Sequence, residues 1–355
     1  MTNVTLDSRP PLRSLHEAAT LQAIGEWIEA NTRLQDVRLN SAHKLSGGAI
    51  QENWLLHAAY CEADVLVIGR WVLRTDAPAG VNVSMSREQE FRTLSLAYRH
   101  GVKVPQPIAL CEDLTLLGRP FFLMQAVAGT AAGPALTREN ALTTTQRQSL
   151  ARELGANLAR LHAIVPPQLE IDFLPLPQQS PLVESINAYR AYLDTLGDTY
   201  PVLEWGLRWV ELNAPDAMDL SLIHRDFRTG NYMVEEGELT GILDWEFTAW
   251  GDPREDIGWF TAACWRFSGA QRVAGGIGQL EDFLAGYRLH STLKMGADDL
   301  AFWQVVAHLR WAIIALQQAQ RHASGQQRSL ELALTGRMLP EIEWEIVSLI
   351  KEGQL

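Results

Sequence analysis

Apolar positions first repeat with a helical period near the start of the chain. Leu15, Leu21, Ile24 and Ile28 fall on one face of a predicted helix, with Ser14 and Glu17 forming an S-x-x-E capping box at its head. Residues 1–13 read as a loosely attached arm. Between 41 and 75 the pattern changes: KLSGGAIQENWLLHAA and DVLVIGRWVLRT carry strand-like runs joined by short polar turns. Ser86 opens a second predicted helix, SREQEFRTLSLAYRH, and RPFFLMQAV returns to a strand that Gly129 ends. From about residue 144 the helical period dominates, as in QRQSLARELGANLARLHAI with Leu150, Leu154, Leu158 and Leu161. A short β-rich insert at about 222–244 interrupts it, and EDFLAGYRLH and AFWQVVAHLRWAIIALQQAQRH resume it. No repeat of 20–50 residues is visible.

Composition narrows the class. The 355 residues suffice for two domains, and 47% apolar with 20% charged residues is ordinary for a soluble globular protein. A formal net charge of -12 repels phosphates, so neither non-specific nucleic-acid binding nor adhesion to anionic membranes is expected. Cys61, Cys111 and Cys264 include no C-x-x-C pair, which argues against a zinc site or a disulfide framework and for a reducing cytoplasm. The N-terminal stretch has no apolar core of signal-peptide length, and no uninterrupted apolar run reaches the roughly 18–20 residues of a membrane span. Nine of the twelve tryptophans follow residue 200 and are expected in the core of the helical half.

The densest chemistry lies in LIHRDFRTGNYMV, residues 222–234, followed by GILDWE. An Asp followed five residues later by Asn, then an apolar pair and a second Asp, matches the spacing of a phosphoryl-transfer loop. In that chemistry one carboxylate accepts or orients a substrate hydroxyl, while an amide oxygen and a second carboxylate hold Mg²⁺ on the nucleotide phosphates. Asp226 fits the first role, and Asn231 and Asp244 fit the second, brought face to face by the strands flanking the loop. Arg228 is either a cation for the transferring phosphoryl group or a surface arginine. His224 is expected to orient the loop through a backbone hydrogen bond.

These residues resemble the aminoglycoside phosphotransferase/choline kinase family. The nearest likeness is to bacterial phosphotransferases related to the kinase domains fused to some acyl-CoA dehydrogenases. VLRTDAPAG, REQEFRTL, VPQPIALCED, GRPFFLMQAVAG, ANLARLHAI, WGDPREDIGW, CWRF and FLAGYR share the pattern, from about residue 40 to about 325. The resemblance implies an α+β, bilobal protein-kinase-like fold with nucleotide in the cleft. Its small β-rich N-terminal lobe would be residues 1–128 and its larger, mostly helical lobe 129–355. It implies ATP and Mg²⁺ as cofactors. Arg74 stands where a strand lysine touches the α/β-phosphates, and Glu90 where its helix partner stands; arginine keeps the charge but binds phosphate with a planar fork. An ordinary surface ion pair is the other reading of these two. Gly47 and Gly48, in SGGAIQEN, would cover the phosphates, though a plain hairpin turn fits as well. Backbone groups near Gln125 and Val127 would bind adenine, and Asp252 and Asp256 would brace the catalytic region.

Three functions compete. The first is transfer of the γ-phosphate of ATP to a hydroxyl of a small molecule. The second is a catalytically silent nucleotide-binding protein, which Arg74 and the thin glycine loop favour and the intact Asp226, Asn231 and Asp244 oppose. The third is a protein kinase, opposed by the short segment after Asp244, since Gly251 follows by only seven positions. Antibiotics, amino alcohols, sugars and hydroxyacyl compounds all qualify as acceptor, and the resemblance points toward hydroxylated acyl compounds. The oligomeric state is left open.

Overall fold

The computed structural model describes residues 13–45, 51–76, 85–215 and 219–352. The chain divides into two compact units, Met1–Arg99 with Lys103–Ala128 and His100–Val102 with Gly129–Leu355.

In the N-terminal unit, α1 (Ala18–Asn31) begins later than the sequence suggests. Glu17 is the N-cap and makes no side-chain cap. Ser14 instead accepts the His16 N–H at 3.2 Å, one turn upstream, so the predicted capping box does not form. The strands are β1 (Gln35–Lys44), β2 (Gln51–Glu62), β3 (Val65–Asp76), β4 (Pro107–Cys111) and β5 (Phe121–Gln125). They form one sheet in the order β1-β2-β3-β5-β4, antiparallel throughout. Its first strand starts ahead of the expected 41. Between β3 and β4 lies α2 (Arg87–Arg99), and α3 (Leu114–Leu117) precedes β5. At the head of α2 the Ser86 hydroxyl accepts the Gln89 N–H, and the Gln89 side chain accepts the Ser86 N–H in return. Leu21, Ile24 and Ile28 of α1 pack into a core with Trp54, Leu56, Trp71, Leu73, Phe121 and Leu123.

The C-terminal unit is mostly helical. It contains α4 (Gly133–Leu136), α5 (Thr144–His162), α6 (Pro181–Leu193), α7 (Pro201–Leu212), α8 (Pro253–Thr261), α9 (Leu280–Tyr287), α10 (Ala297–Ala323), α11 (Leu330–Gly336) and α12 (Leu339–Glu352). Thr143 and Gln146 cap α5 reciprocally. α10 is long and apolar enough to cross a membrane, yet Trp303, Val305, Leu309, Ala312 and Ile313 are buried against α7 and α12, as in a core helix. Of the late tryptophans, Trp245, Trp250, Trp259, Trp265 and Trp303 are buried, whereas Trp205 and Trp344 are exposed, so core packing explains only part of the cluster.

Four short strands interrupt the helices: β6 (Ser221–Ile223), β7 (Tyr232–Glu235), β8 (Glu238–Ile242) and β9 (Ala249–Gly251). β6 pairs with β9 and β7 with β8. The strands on either side of residues 224–231, β6 and β7, therefore belong to different sheets. Thr130 exchanges two 3.0 Å backbone hydrogen bonds with Val234 of β7. Gly129 permits this approach: its φ is 102°, and a Cβ there would overlap the Val234 carbonyl.

Candidate active site

β6 ends at Ile223, and the next two residues are gripped by a buried carboxylate. Asp256, in α8, accepts the backbone N–H of His224 at 2.7 Å and of Arg225 at 2.7 Å. His162 of α5 donates from Nε2 to the same carboxylate at 3.0 Å, and its Nδ1 lies 2.8 Å from the Tyr287 hydroxyl. Burial alone pushes Asp256 upward, but the His162 hydrogen bond and the surrounding groups outweigh it and hold the carboxyl below its ordinary range. Arg310 of α10 donates to the Arg225 carbonyl, and Arg225 sits at φ 63°, a left-handed conformation uncommon for a long side chain. Asp256 thus braces the loop, as the sequence suggests, and Asp252 caps α8 by accepting the Arg254 N–H at 2.9 Å.

His224 is fully buried, and burial pushes its imidazole down from the ordinary value, so it is neutral at pH 7. Its tautomer follows from its partners. Nε2–H donates to the Leu243 carbonyl at 2.9 Å, and Nδ1 accepts the Asp226 N–H at 3.2 Å. The ring ties the loop to the segment carrying Asp244, which is a structural task.

Three side chains converge on the Asp226 carboxylate. Its Oδ1 accepts Arg228 Nε–H at 3.1 Å and the Trp259 indole N–H at 2.9 Å, while its Oδ2 accepts Asn231 Nδ2–H at 2.5 Å. Arg228 is three-quarters buried and its guanidinium stacks 4.5 Å from the Trp265 ring, so the surface-arginine reading fails. Asn231 also donates to the Asp226 backbone carbonyl at 2.9 Å. With its amide hydrogens so engaged, Asn231 presents Oδ1 as its remaining acceptor.

The β7–β8 hairpin brings Asp244 to Asn231. Tyr232 pairs with Ile242, and the Leu243 N–H donates to the Asn231 carbonyl at 2.8 Å, closing the hairpin base with Asp244 as the next residue. Asp244 has φ 65°, which aspartate tolerates better than most residues. An amide oxygen and a carboxylate suit a hard cation. Mg²⁺ takes one or two protein carboxylates and completes its shell with phosphates and water. Among the described residues no group of three His, Cys, Asp or Glu could hold a metal.

In the N-terminal unit, Arg74 of β3 places Nε 2.8 Å from Glu90 Oε1. The two residues are 7% and 2% exposed, which excludes the surface ion pair. Arg87 pairs with the other Glu90 oxygen and lies 3.0 Å from Asp76. The Gln125 N–H is taken by the Gln106 carbonyl at 2.8 Å, and the Ala126 N–H by the Arg70 carbonyl at 2.9 Å, so neither amide faces a base. Val127 makes no hydrogen bond to another described residue. Gly47 and Gly48 lie outside the described residues.

Sequence reasoning missed Trp259, Trp265 and Arg310. Trp259 had one available signal. It follows Asp256 by three residues, so both share a face of α8 and reach the same loop.

Residues 41–293 match the model of a phosphotransferase enzyme family. Acyl-CoA dehydrogenase family member 10 of Mus musculus is 26% identical over 282 residues, 75% of this chain and 26% of that protein. Acyl-CoA dehydrogenase family member 11 of Homo sapiens is 25% identical over 195 residues, 54% of this chain and 25% of that protein. The chain thus spans about a quarter of the length of these curated relatives. Among solved structures, a Ralstonia eutropha protein provisionally named an aminoglycoside phosphotransferase superposes with a TM-score of 0.72 at 18% identity, over 93% of this chain and 98% of that one. An aminoglycoside phosphotransferase solved with GDP and kanamycin gives 0.63 at 17%, over 87% and 94%. A choline/ethanolamine kinase family protein from Mesorhizobium loti gives 0.57 at 15%, over 88% of each chain. At these identities the superpositions establish a shared protein-kinase-like fold.

Proposed function

Since the chain belongs to the phosphotransferase enzyme family, we propose that it moves the γ-phosphate of ATP to a hydroxyl of a small molecule. The observation that carries this reading is the Asp226 carboxylate, fixed by three side-chain donors and with Asn231 on its Oδ2. In this reading Asp226 receives the acceptor's proton as the hydroxyl oxygen bonds to the γ-phosphorus, the bond to the β-phosphate breaks, and ADP leaves. Arg228, held over Trp265, offsets negative charge developing on the phosphoryl oxygens. Asn231 Oδ1 and the Asp244 carboxylate would hold Mg²⁺, which when bound supplies positive charge to the nucleotide phosphates. In the N-terminal unit Arg74, oriented by Glu90, would contact the α/β-phosphates, and Val127 would offer backbone groups to adenine. The names of the sequence relatives put hydroxylated acyl compounds first among acceptors to try, ahead of amino alcohols, sugars and aminoglycosides.

Asp226→Asn tests the assignment, because it keeps the shape of the side chain and removes its charge and basicity. The variant is expected to bind Mg·ATP like the parent, by calorimetry, while kcat on an acceptor found in the panel falls about 10²–10⁴-fold, the range of a positioned general base. Turnover at the parental rate would remove Asp226 from this role. A parent that binds Mg·ATP but phosphorylates nothing in the panel returns the chain to the silent-binder reading.

A further inference from the structure

Trp259 is one of the three donors to Asp226 but touches no reacting group, its indole N–H ending 2.9 Å from Asp226 Oδ1. It is 3% exposed and cannot swing aside. The Arg310 guanidinium stacks 4.5 Å from its ring, and Trp265 lies against it at 5.1 Å between centroids. Arg310 is itself bonded to the Arg225 carbonyl, and Trp265 supports Arg228. The indole is therefore locked between the backbone that precedes Asp226 and the aromatic platform beneath Arg228.

A carboxylate oxygen accepts about two hydrogen bonds. Oδ1 already has two, from Trp259 and Arg228, whereas Oδ2 has one, from Asn231. The vacant acceptor position of Asp226 is thus on Oδ2. We infer that Trp259 is a positioning residue for phosphoryl transfer. By filling Oδ1 it fixes the carboxylate plane and makes Oδ2 the oxygen that receives the acceptor's proton. This inference rests on the reading of Asp226 as the proton acceptor. Without Trp259, Arg228 and Asn231 would still hold one oxygen each, but Oδ1 would keep an acceptor position free to compete for the hydroxyl, so the second donor does the selecting.

The test uses the full chain with Mg·ATP and water as the acceptor, read as ADP release, so that no acceptor need be identified. Trp259→Phe keeps an aromatic ring and removes the N–H. Its kcat is expected to fall roughly 10–100-fold, the effect of losing a hydrogen bond to a charged group, with the KM for ATP unchanged. A residue that only supports the fold would not split the two constants. Position 259 is buried, and should phenylalanine leave a gap that the fold does not absorb, benzothienylalanine there keeps the indole shape and removes only the N–H. The decisive comparison adds Asp226→Asn. If Trp259 acts through the carboxylate, the double variant is no slower than Asp226→Asn alone. The same fold-loss in both backgrounds, or a parental kcat in the isosteric variant, overturns the inference. A parent that turns over neither water nor any hydroxyl compound overturns the reading of Asp226 and this inference with it. That outcome differs from a parent that is active and indifferent to position 259, which overturns the inference alone.

Discussion

Asp244 occupies the left-handed region, and that decides how it can be tested. Alanine at φ 65° adds backbone strain to the loss of the carboxylate, so Asp244→Ala mixes folding with binding. Asn tolerates the same conformation and removes only the charge. Asp244→Asn is expected to melt like the parent in buffer but to lose most of the stabilisation that Mg·ATP adds, read as a thermal shift with and without chelator. An undiminished shift would take Asp244 out of the cation site. Burial likewise changes what Arg74→Ala should do. Glu90 keeps Arg87 as a partner, so the fold should lose about 1–3 kcal/mol in urea unfolding rather than collapse. If Arg74 contacts phosphate, the KM for ATP should rise roughly 10–100-fold; an unchanged KM would leave it a purely structural cation. The sequence made Asp226, Asn231 and Arg228 legible together because they share one short loop whose spacing is its geometry. Trp259, Trp265 and Arg310 were not, because they arrive from other segments and only packing brings them to the carboxylate.

Between elements, the closest packing is made by glycine. A Cβ on Gly155 of α5 would overlap the Phe283 carbonyl in α9, and one on Gly286 of α9 would overlap the Arg152 carbonyl in α5. The two helices approach backbone to backbone, and this approach carries His162 to Tyr287. Gly155→Ala and Gly286→Ala should each cost about 1–3 kcal/mol of stability, since the helices must separate. Urea midpoints check this, and a neutral Gly155→Ala would show that the contact yields easily. Element boundaries were legible where a local signal was uncontested. Ser86 is followed by Gln89, and the reciprocal cap forms. Ser14 has Glu17 at the same spacing, yet Glu17 takes the N-cap position. Strand pairing was least legible. That β6 joins β9 is settled by the turn of the chain through 224–248, which no local pattern encodes.

For the molecule as a whole, two buried histidines are expected to make stability fall in acid. His308 of α10 donates Nδ1–H to the Gln304 carbonyl at 2.7 Å, and its Nε2 is buried without a hydrogen-bond partner among the described residues. Burial pushes its pKa down to about 4, and His224 is shifted in the same direction. Between the ordinary histidine value near 6.5 and about 4, the unfolded chain binds protons that the folded chain does not. Stability is therefore expected to be complete above about pH 6.5, to fall as pH drops toward 4, and below that to lose the Asp256 contribution as well. The melting temperature of His308→Gln should depend less steeply on pH across 6.5 to 4 than that of the parent; equal slopes would place the proton uptake elsewhere. The small sheet followed by a helical half was readable from the change of period along the chain, since that is set by short-range patterning, and the protein-kinase-like class from the family resemblance that the loop motif and its companion stretches carry.

Asp256 holds the amides of residues 224 and 225, not their side chains, from thirty-two and thirty-one residues further along. A grip on main chain is blind to spelling. The shape of the loop is thereby uncoupled from the letter at position 225, and the φ of 63° there would suit glycine better than arginine. A residue that accepts a positive φ could replace Arg225 without moving Asp226, whereas a change at Asp256 would release the loop.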